Sequence, residues 1–401
     1  MKQLYILGTR GVPAAHGGFE TFAEHLALFL VARGWDVSVY CQEDNASFQD
    51  IREESWRGVR RIIVPVGGSG PLATLLFDWR CVRHAARRPG DLLVLGYNSA
   101  LFNLIFLFFG KFFFINMDGI EWQRPKWSLP IKAWFWLNEQ IAGRSSPHLI
   151  ADHPAIERYL RARYPKARIT MIAYGGRHVT EACAASLDRF GLTPGTYYLS
   201  VCRIEPDNSM LELVQAFSAE RRKTKLCVVG GFQPDTNAYH RKIRDAASED
   251  VIFPGAIYEQ EAITSLRFHL RAYCHGHQHG GTNPSLVEAL GAGNAVIAHD
   301  NAFNRWTAGA DQFYFDSVTG LKAIFDRLDQ DDEALANARK ASEARFKEDF
   351  DWDNILSQYE TLLSTSRSRF RGAETADHRL LPSPTDEPQL NQLVAGESDQ
   401  N

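Results

Sequence analysis

The amino-acid sequence predicts an α/β protein built from two doubly wound, mostly parallel sheets. Three observations carry that expectation. Short apolar strands alternate with amphipathic helices through the first half of the chain, and the alternation restarts near Tyr197. Glycine-rich or polar loops follow several strands, at the places where open α/β sheets bind ligands. A length of 401 residues suits two domains of ordinary size.

In the first half a strand at 4–7 leads through a glycine-rich loop, 8–18, into an amphipathic helix at 19–32 closed by Gly34. Strands are expected at 36–40 and 59–65, a helix at 73–86, and strands at 92–95 and 112–116. The apolar run 101–115 contains Lys111 and is too short to span a bilayer, so a buried helix leading into a buried strand is expected there. In the second half the strands fall at 197–201, 225–229, 251–253, about 272–275 and 295–298. The helices between them fall at 210–219, 239–247, 262–270 and 284–290. The expected domains are 1–178 and 190–348, with a linker around 175–195. A last helix over 349–363 is expected to pack back toward the N-terminal domain. The remainder, 364–401, is rich in Ser, Pro, Asp, Glu and Gln and is expected to be disordered.

Hydrophobic residues make up 45% and charged residues 23% of the chain, the composition of a globular protein with sizeable cores. A net charge of −4 argues against a general nucleic-acid binder. The six cysteines are scattered without a CxxC pair and read as buried free thiols in a reducing cytoplasm. Residues 1–8 form an apolar strand ended by glycine, too short for the hydrophobic region of a signal peptide.

Residues 281–300 are the most informative stretch. Gly281, Thr282, Asn283, Pro284 and Ser285 open a short helix whose N-terminal N–H groups and dipole make an anion site. Glu288, one turn further in, is placed to accept hydrogen bonds from a sugar hydroxyl; together these suit a nucleoside diphosphate. An ordinary capped αβ unit is the alternative. Gly8, Gly11, Gly17 and Gly18 let a ligand approach the backbone ahead of the first helix, or form a plain tight loop; their spacing is not GxGxxG. At the end of the 112–116 strand, Asp118 and Glu121 are candidates for hydroxyl recognition, the alternative being a turn capped by Asp118. Arg203 either forks onto a phosphate or is a surface partner of Glu205. His275, His277 and His279 alternate as metal ligands would. Three ligands from one short strand would be strained, however, and His275 or His279 lining a substrate cleft is the better reading. Trp122, Trp127, Trp134 and Trp136, interleaved with Arg124, Lys126 and Lys132, suit a membrane interface or a lipid-phosphate acceptor, or else a helix burying its tryptophans.

Four of these motifs, in order, carry a resemblance. They are Gly8-Thr9-Arg10-Gly11-Val12-Pro13 with Gly17-Gly18-Phe19-Glu20-Thr21, then Asp118-Gly119-Ile120-Glu121-Trp122, then Arg203-Ile204-Glu205-Pro206, and then Gly280-Gly281-Thr282-Asn283-Pro284-Ser285-Leu286-Val287-Glu288-Ala289. Over roughly residues 1–360 the chain resembles a GT-B glycosyltransferase of the large retaining family 4, in its bacterial rhamnosyltransferase-like branch. The resemblance implies two Rossmann-like domains facing a central cleft, the first for the acceptor and the second for a nucleotide-sugar donor. It implies a donor site of Gly17, Gly18, Arg203, Asn208, Gly281, Thr282, Asn283, Pro284, Ser285 and Glu288. Arg10, Glu20, Glu121 and Trp122 would meet the acceptor, and Asp118, Arg203 and Glu288 would act in catalysis. Glu288 matches the second glutamate of the family's E-x7-E motif; Gly280 stands at the first. Asn208 stands where a lysine would pair with Arg203, and Asp118 where the family has a histidine. The expected reaction is retaining transfer of a sugar, L-rhamnose from dTDP-rhamnose, without metal or other cofactor. The acceptor would be a glycan or a polyprenyl-diphosphate-linked oligosaccharide, met by a peripheral protein at the inner face of the cytoplasmic membrane. No nucleic-acid partner is expected. Two other readings stay open: a sugar-nucleotide hydrolase or epimerase using Asp118 and His275, and a non-catalytic sugar-nucleotide-binding protein.

Overall fold

A computed structural model describes residues 2–15, 17–46, 50–124 and 126–370, the side chains through 365. It divides into two compact units, Met1–Ile172 joined by the chain from Leu356, and Ala173–Ile355. The N-terminal unit contains β1 (Gln3–Leu7), α1 (Gly18–Ala32), β2 (Asp36–Glu43), β3 (Arg52–Trp56), β4 (Val59–Pro65), α2 (Pro71–Ala85), β5 (Asp91–Leu95), α3 (Ala100–Phe108), β6 (Phe113–Asn116), α4 (Leu129–Ser145), β7 (His148–Ala151), α5 (Pro154–Arg163) and β8 (Ile169–Met171). The C-terminal unit contains β9 (Tyr197–Val201), α6 (Met210–Ser218), β10 (Lys225–Val229), α7 (Ala238–Ala246), β11 (Val251–Gly255), α8 (Gln260–Phe268), β12 (Ala272–His275), α9 (Pro284–Gly291), β13 (Val296–His299), α10 (Ala302–Ala308), β14 (Phe313–Phe315), α11 (Val318–Leu328) and α12 (Asp332–Asp349); α13 (Trp352–Phe370) follows.

The first sheet has the order β3-β4-β2-β1-β5-β6-β7-β8, and the second β11-β10-β9-β12-β13-β14. All pairings are parallel except β3 with β4. The strands read as apolar runs because helices cover both faces: every residue of β5 and β12 is buried. Strand order reverses between β1 and β5 in one sheet and between β9 and β12 in the other. Loops leaving the carboxyl ends of those strands diverge and leave a crevice.

Several expectations need correction. β3 is an extra antiparallel edge strand that hydrophobic alternation cannot reveal, since its side chains are charged and exposed. Arg52 pairs with Glu43 at 2.7 Å and Arg61 with Glu54 at 3.1 Å, the negative charge guarding an open edge. The 101–115 run does form a helix and a strand, but α3 is buried on one side only: Ala100 and Phe106 are covered while Leu101, Leu107 and Phe108 face solvent. The supposed linker at 175–195 includes a 3-10 turn, Ala184–Phe190, whose Leu187 is fully buried in the core with Leu199 and Leu266. Helix α13 continues seven residues past 363; the rest of the expected tail, 371–401, lies outside the described residues. Its Tyr359 is buried against Phe22, with ring centroids 4.6 Å apart, and its hydroxyl accepts from Asn116 Nδ2 at 3.1 Å. Glu360 accepts from Trp35 Nε1 and pairs with Arg33.

Candidate functional site

In the C-terminal unit the switch point is lined by the loops after β9 and β12. They touch backbone to backbone: a Cβ on Gly276 would lie 2.1 Å from the Asn208 carbonyl oxygen, so only glycine fits. Gln278 binds the first loop twice, its N–H donating to the Asp207 carbonyl and its amide to Ser209 Oγ, both at 3.0 Å. Asn208 is buried and donates to the Arg203 carbonyl at 2.7 Å. In this structure its side chain shapes the loop. Arg203 itself projects outward, largely exposed, with Glu205 3.7 Å away. Glu205 is the partner that the sequence offered as the alternative to a phosphate contact.

Helix α9 starts beside it. Gly281 and Thr282 are buried beneath its first turn, Asn283 is the N-cap and Pro284 the first helical residue. Ser285 hydrogen-bonds the Tyr273 hydroxyl of β12, which also donates to the Val201 carbonyl at 3.2 Å; α9 is thereby pinned to β9 and β12. Glu288 is half-buried and forms a 2.5 Å ion pair with Arg267 of α8. Sequence reasoning missed Arg267; nothing in an arginine on a helix twenty-one residues upstream signals that it will orient a carboxylate.

The histidines do not form a metal site. His275 and His277 stack with centroids 4.3 Å apart, and His275 is buried with both ring nitrogens lacking a protein partner. Burial and the neighbouring His277 hold its pKa well below the ordinary range, so it is neutral. His275 at 1% exposure therefore does not line an open cleft, which leaves His279 as the member of the pair nearer the surface. Among the described residues no group of three or more His, Cys, Asp or Glu side chains is placed to hold a metal ion.

In the N-terminal unit the loop after β1 is shaped by glycine and glutamate. Gly8 has φ +81°, and a Cβ there would meet the Leu95 carbonyl oxygen at 2.1 Å. Glu20 and Glu24 reach back from α1 to accept the Ala15 and Ala14 N–H groups at 2.9 and 2.7 Å. Glu20 is largely buried in that role, at 6% exposure, and also lines a cavity with Arg10 and Glu43. Gly17, the N-cap of α1, faces open space ahead of Gly18, as an approachable backbone should. Arg10 is half-exposed, 3.9 Å from Asp44, and lines a cavity of about 130 Å³. That cavity opens at the β1/β5 switch point and is also lined by Thr9, Asp78, Asn98, Ser99 and Asn103. Burial pushes the Asp78 carboxyl up to about 6, against a hydrogen bond from Ser99. The sequence held one cue to this pocket, a single carboxylate on the otherwise apolar first half of α2.

Asp118 lies just beyond β6 with φ +50°, its N–H donating to Asn116 Oδ1 at 3.0 Å. It caps no helix; the 3-10 turn Glu121–Gln123 has Ile120 at its N-cap. Burial and the adjacent Glu121 carboxylate push the Asp118 carboxyl up to about 6, with Arg124 opposing. Glu121 is held by Arg124 at 2.9 Å and by Trp127 Nε1 at 3.3 Å. Trp122 donates its indole N–H inward to buried Glu139 at 2.7 Å. The other tryptophans differ in exposure. Trp134 donates to the Asn98 carbonyl, and Trp136 alone of the four is exposed.

The family described as Domain of unknown function (DUF1972) matches residues 1–91 and 93–177, less than half of the chain. No curated protein matches it by sequence. Solved structures are similar throughout. Sucrose-phosphate synthase from Thermosynechococcus elongatus superposes with a TM-score of 0.80 at 18% identity, over 93% of this chain and 100% of that one. The UDP-forming α,α-trehalose-phosphate synthase from Burkholderia xenovorans, in complex with glucose-6-phosphate, gives 0.69 at 11% identity, over 91% and 100%. HepE from Anabaena, in complex with UDP and glucose, gives 0.69 at 15% identity over the same shares. At these identities the likeness establishes the fold: two Rossmann-like units of the GT-B architecture.

Proposed function

We propose that the chain is a glycosyltransferase that takes a sugar from a nucleoside-diphosphate donor bound by its C-terminal unit. The observation that carries this reading is the presence, at one switch point, of an exposed arginine on the β9 loop and a helix N-terminus on the β12 loop. One turn inside that helix, Glu288 is oriented by Arg267. Cation and helix end suit a diphosphate, and the carboxylate suits ribose hydroxyls. HepE, crystallised with UDP and with UDP-glucose, lends the same class of ligand to the reading.

In this reading the departing diphosphate gathers negative charge that Arg203 and the α9 dipole stabilise as it develops. The leaving phosphate oxygen takes the acceptor proton on the same face, giving retention of configuration. Asp118 recognises the acceptor hydroxyl in the N-terminal unit, its raised pKa keeping it responsive near neutrality. The donor best matched by the resemblance is dTDP-rhamnose, and the acceptor a glycan or polyprenyl-diphosphate-linked oligosaccharide. The test is a thermal-shift screen of UDP-, GDP- and dTDP-sugars, followed by incubation of the best donor with and without a lipid-linked acceptor. A donor at a hundred times its Kd adds about 2.7 kcal/mol of stability, readily seen as a raised Tm. Transfer supports the proposal. Hydrolysis alone or binding alone replaces it with one of the two other readings.

A further inference from the structure

Large apolar side chains at the surface of this chain are not scattered. Among the described residues, eleven are exposed, and ten of them sit on or beside three helices of the N-terminal unit. α2 shows Leu72 and Trp79, and α3 with its C-terminus shows Leu101, Leu107, Phe108 and Phe109. α4 shows Leu129, Ile131, Trp136 and Leu137. The three helices pack in series, α2 on α3 and α3 on α4. Trp79 meets Phe102 edge to face at 5.4 Å, and Leu101 N–H donates to Asn138 Oδ1 at 2.9 Å. Phe108 is 90% exposed, and Leu72 and Leu129 are each 82% exposed. An apolar surface so concentrated is unusual on a monomer and marks a contact.

Charge identifies the partner. The acidic residues of these helices point inward: Asp78 lines the switch-point cavity and Glu139 is buried. Their outward charges are basic. Arg83 stacks on Trp79 at 5.7 Å, and Lys126, exposed just before α4, lies over Trp127 at 5.1 Å; Arg87 and Lys132 complete the set. Arg83 and Arg87, with Ile105, Phe108 and Phe109, line a groove of about 230 Å³ between α2 and α3. A second copy of this face would set like charges against each other. An apolar face rimmed by lysine, arginine and tryptophan complements a layer whose interior is hydrocarbon and whose surface is anionic. Among the described residues no helix is long and apolar enough to cross a membrane, so the contact is peripheral.

We propose that the outward faces of α2, α3 and α4 dock the protein onto an anionic lipid bilayer, with the Arg83–Arg87 groove receiving a lipid phosphate. This rests on the surface alone and stands whether or not the chain proves to be a transferase. The test is flotation of the full-length protein with vesicles of phosphatidylcholine alone and with vesicles equimolar in phosphatidylglycerol. Flotation with the anionic vesicles that weakens with salt is expected. Phe108→Ser with Leu129→Ser should lower partitioning by about tenfold or more, and Arg83→Glu with Arg87→Glu should remove the preference for phosphatidylglycerol. All four side chains are exposed, so circular dichroism and Tm should be unchanged; if the first pair fails to fold, Leu72→Ser replaces it. Absence of flotation, equal flotation of wild type and variants, or equal binding to both vesicles overturns the proposal. So does a lipid-free dimer that Phe108→Ser dissociates. Donor binding by thermal shift is read independently, so failure here is distinguishable from failure of the transferase reading.

Discussion

Glu139 and Asp118 are carboxylates of the same unit, twenty-one residues apart, and they live in opposite circumstances. Glu139 is saturated. Trp122 Nε1 donates to it at 2.7 Å, the Tyr159 and Tyr164 hydroxyls at 2.9 and 2.8 Å, and Arg163 pairs with it at 3.1 Å. It ties α4 to α5 and to the turn at 121–123. Asp118 has no comparable ring of donors, and burial with a carboxylate neighbour drives its pKa up to about 6. A carboxylate with every lone pair engaged serves architecture, whereas one held in discomfort keeps its capacity to bind and exchange protons.

Four experiments break or sharpen that contrast. The largest effect is expected for Glu139→Ala, which strands Arg163 and three aromatic donors. Loss of about 3–5 kcal/mol of stability, read by thermal or urea denaturation, is predicted; a variant melting within a degree of wild type would remove the network from the fold's supports. Asp118→Asn should do the reverse. Transfer should fall roughly a hundredfold, on the scale of losing one group that acts on the reacting centre, with Tm at pH 8 not lowered. If Asp118→Asn unfolds instead, the residue belongs with Glu139. Next, Glu288→Gln should weaken donor binding by roughly 1–3 kcal/mol in titration calorimetry while folding persists. Arg267→Met should weaken it in the same direction by freeing that carboxylate from its partner. The smallest effect concerns Asp78, also raised to about 6. Folded protein binds its proton more tightly than unfolded chain does, so this group's contribution to stability falls as pH rises from about 4 to about 6 and is flat above. Replacement by Asn should remove that slope, and a difference melt of wild type and variant across pH 4–7 that stays level would show the carboxyl is solvated.

The fold was legible because its signals are local: apolar strands, glycine at strand ends, and a rhythm that restarts at Tyr197. The β9 and β12 loops were legible for the same reason, and they leave adjacent strands at the point where strand order reverses. What stayed hidden depends on distant partners. Nothing local says that Asn208 will turn inward to a carbonyl, that Glu20 will cap a loop, or that Arg267 will meet Glu288. The tryptophans could not be sorted locally, because aromatic composition is shared by an exposed face and by an inward indole donor, and only distant acceptors such as Glu139 for Trp122 and Asn98 for Trp134 tell them apart. The exposed face of α3 was misread for the converse reason: a helix with no polar side at all gives no sign of which side is covered.

The return of α13 to the first unit has a consequence for how the protein is made. Tyr359 and Glu360 complete a core begun at Phe22, Trp35 and Asn116. As the ribosome releases the chain, the segment 173–355 is free to fold as a continuous unit, while the unit translated first waits for one of the last helices to arrive. Synthesis order and folding order are therefore reversed. A nascent chain arrested before Leu356 would show a protease-resistant second unit beside an N-terminal sheet still lacking its closing helix.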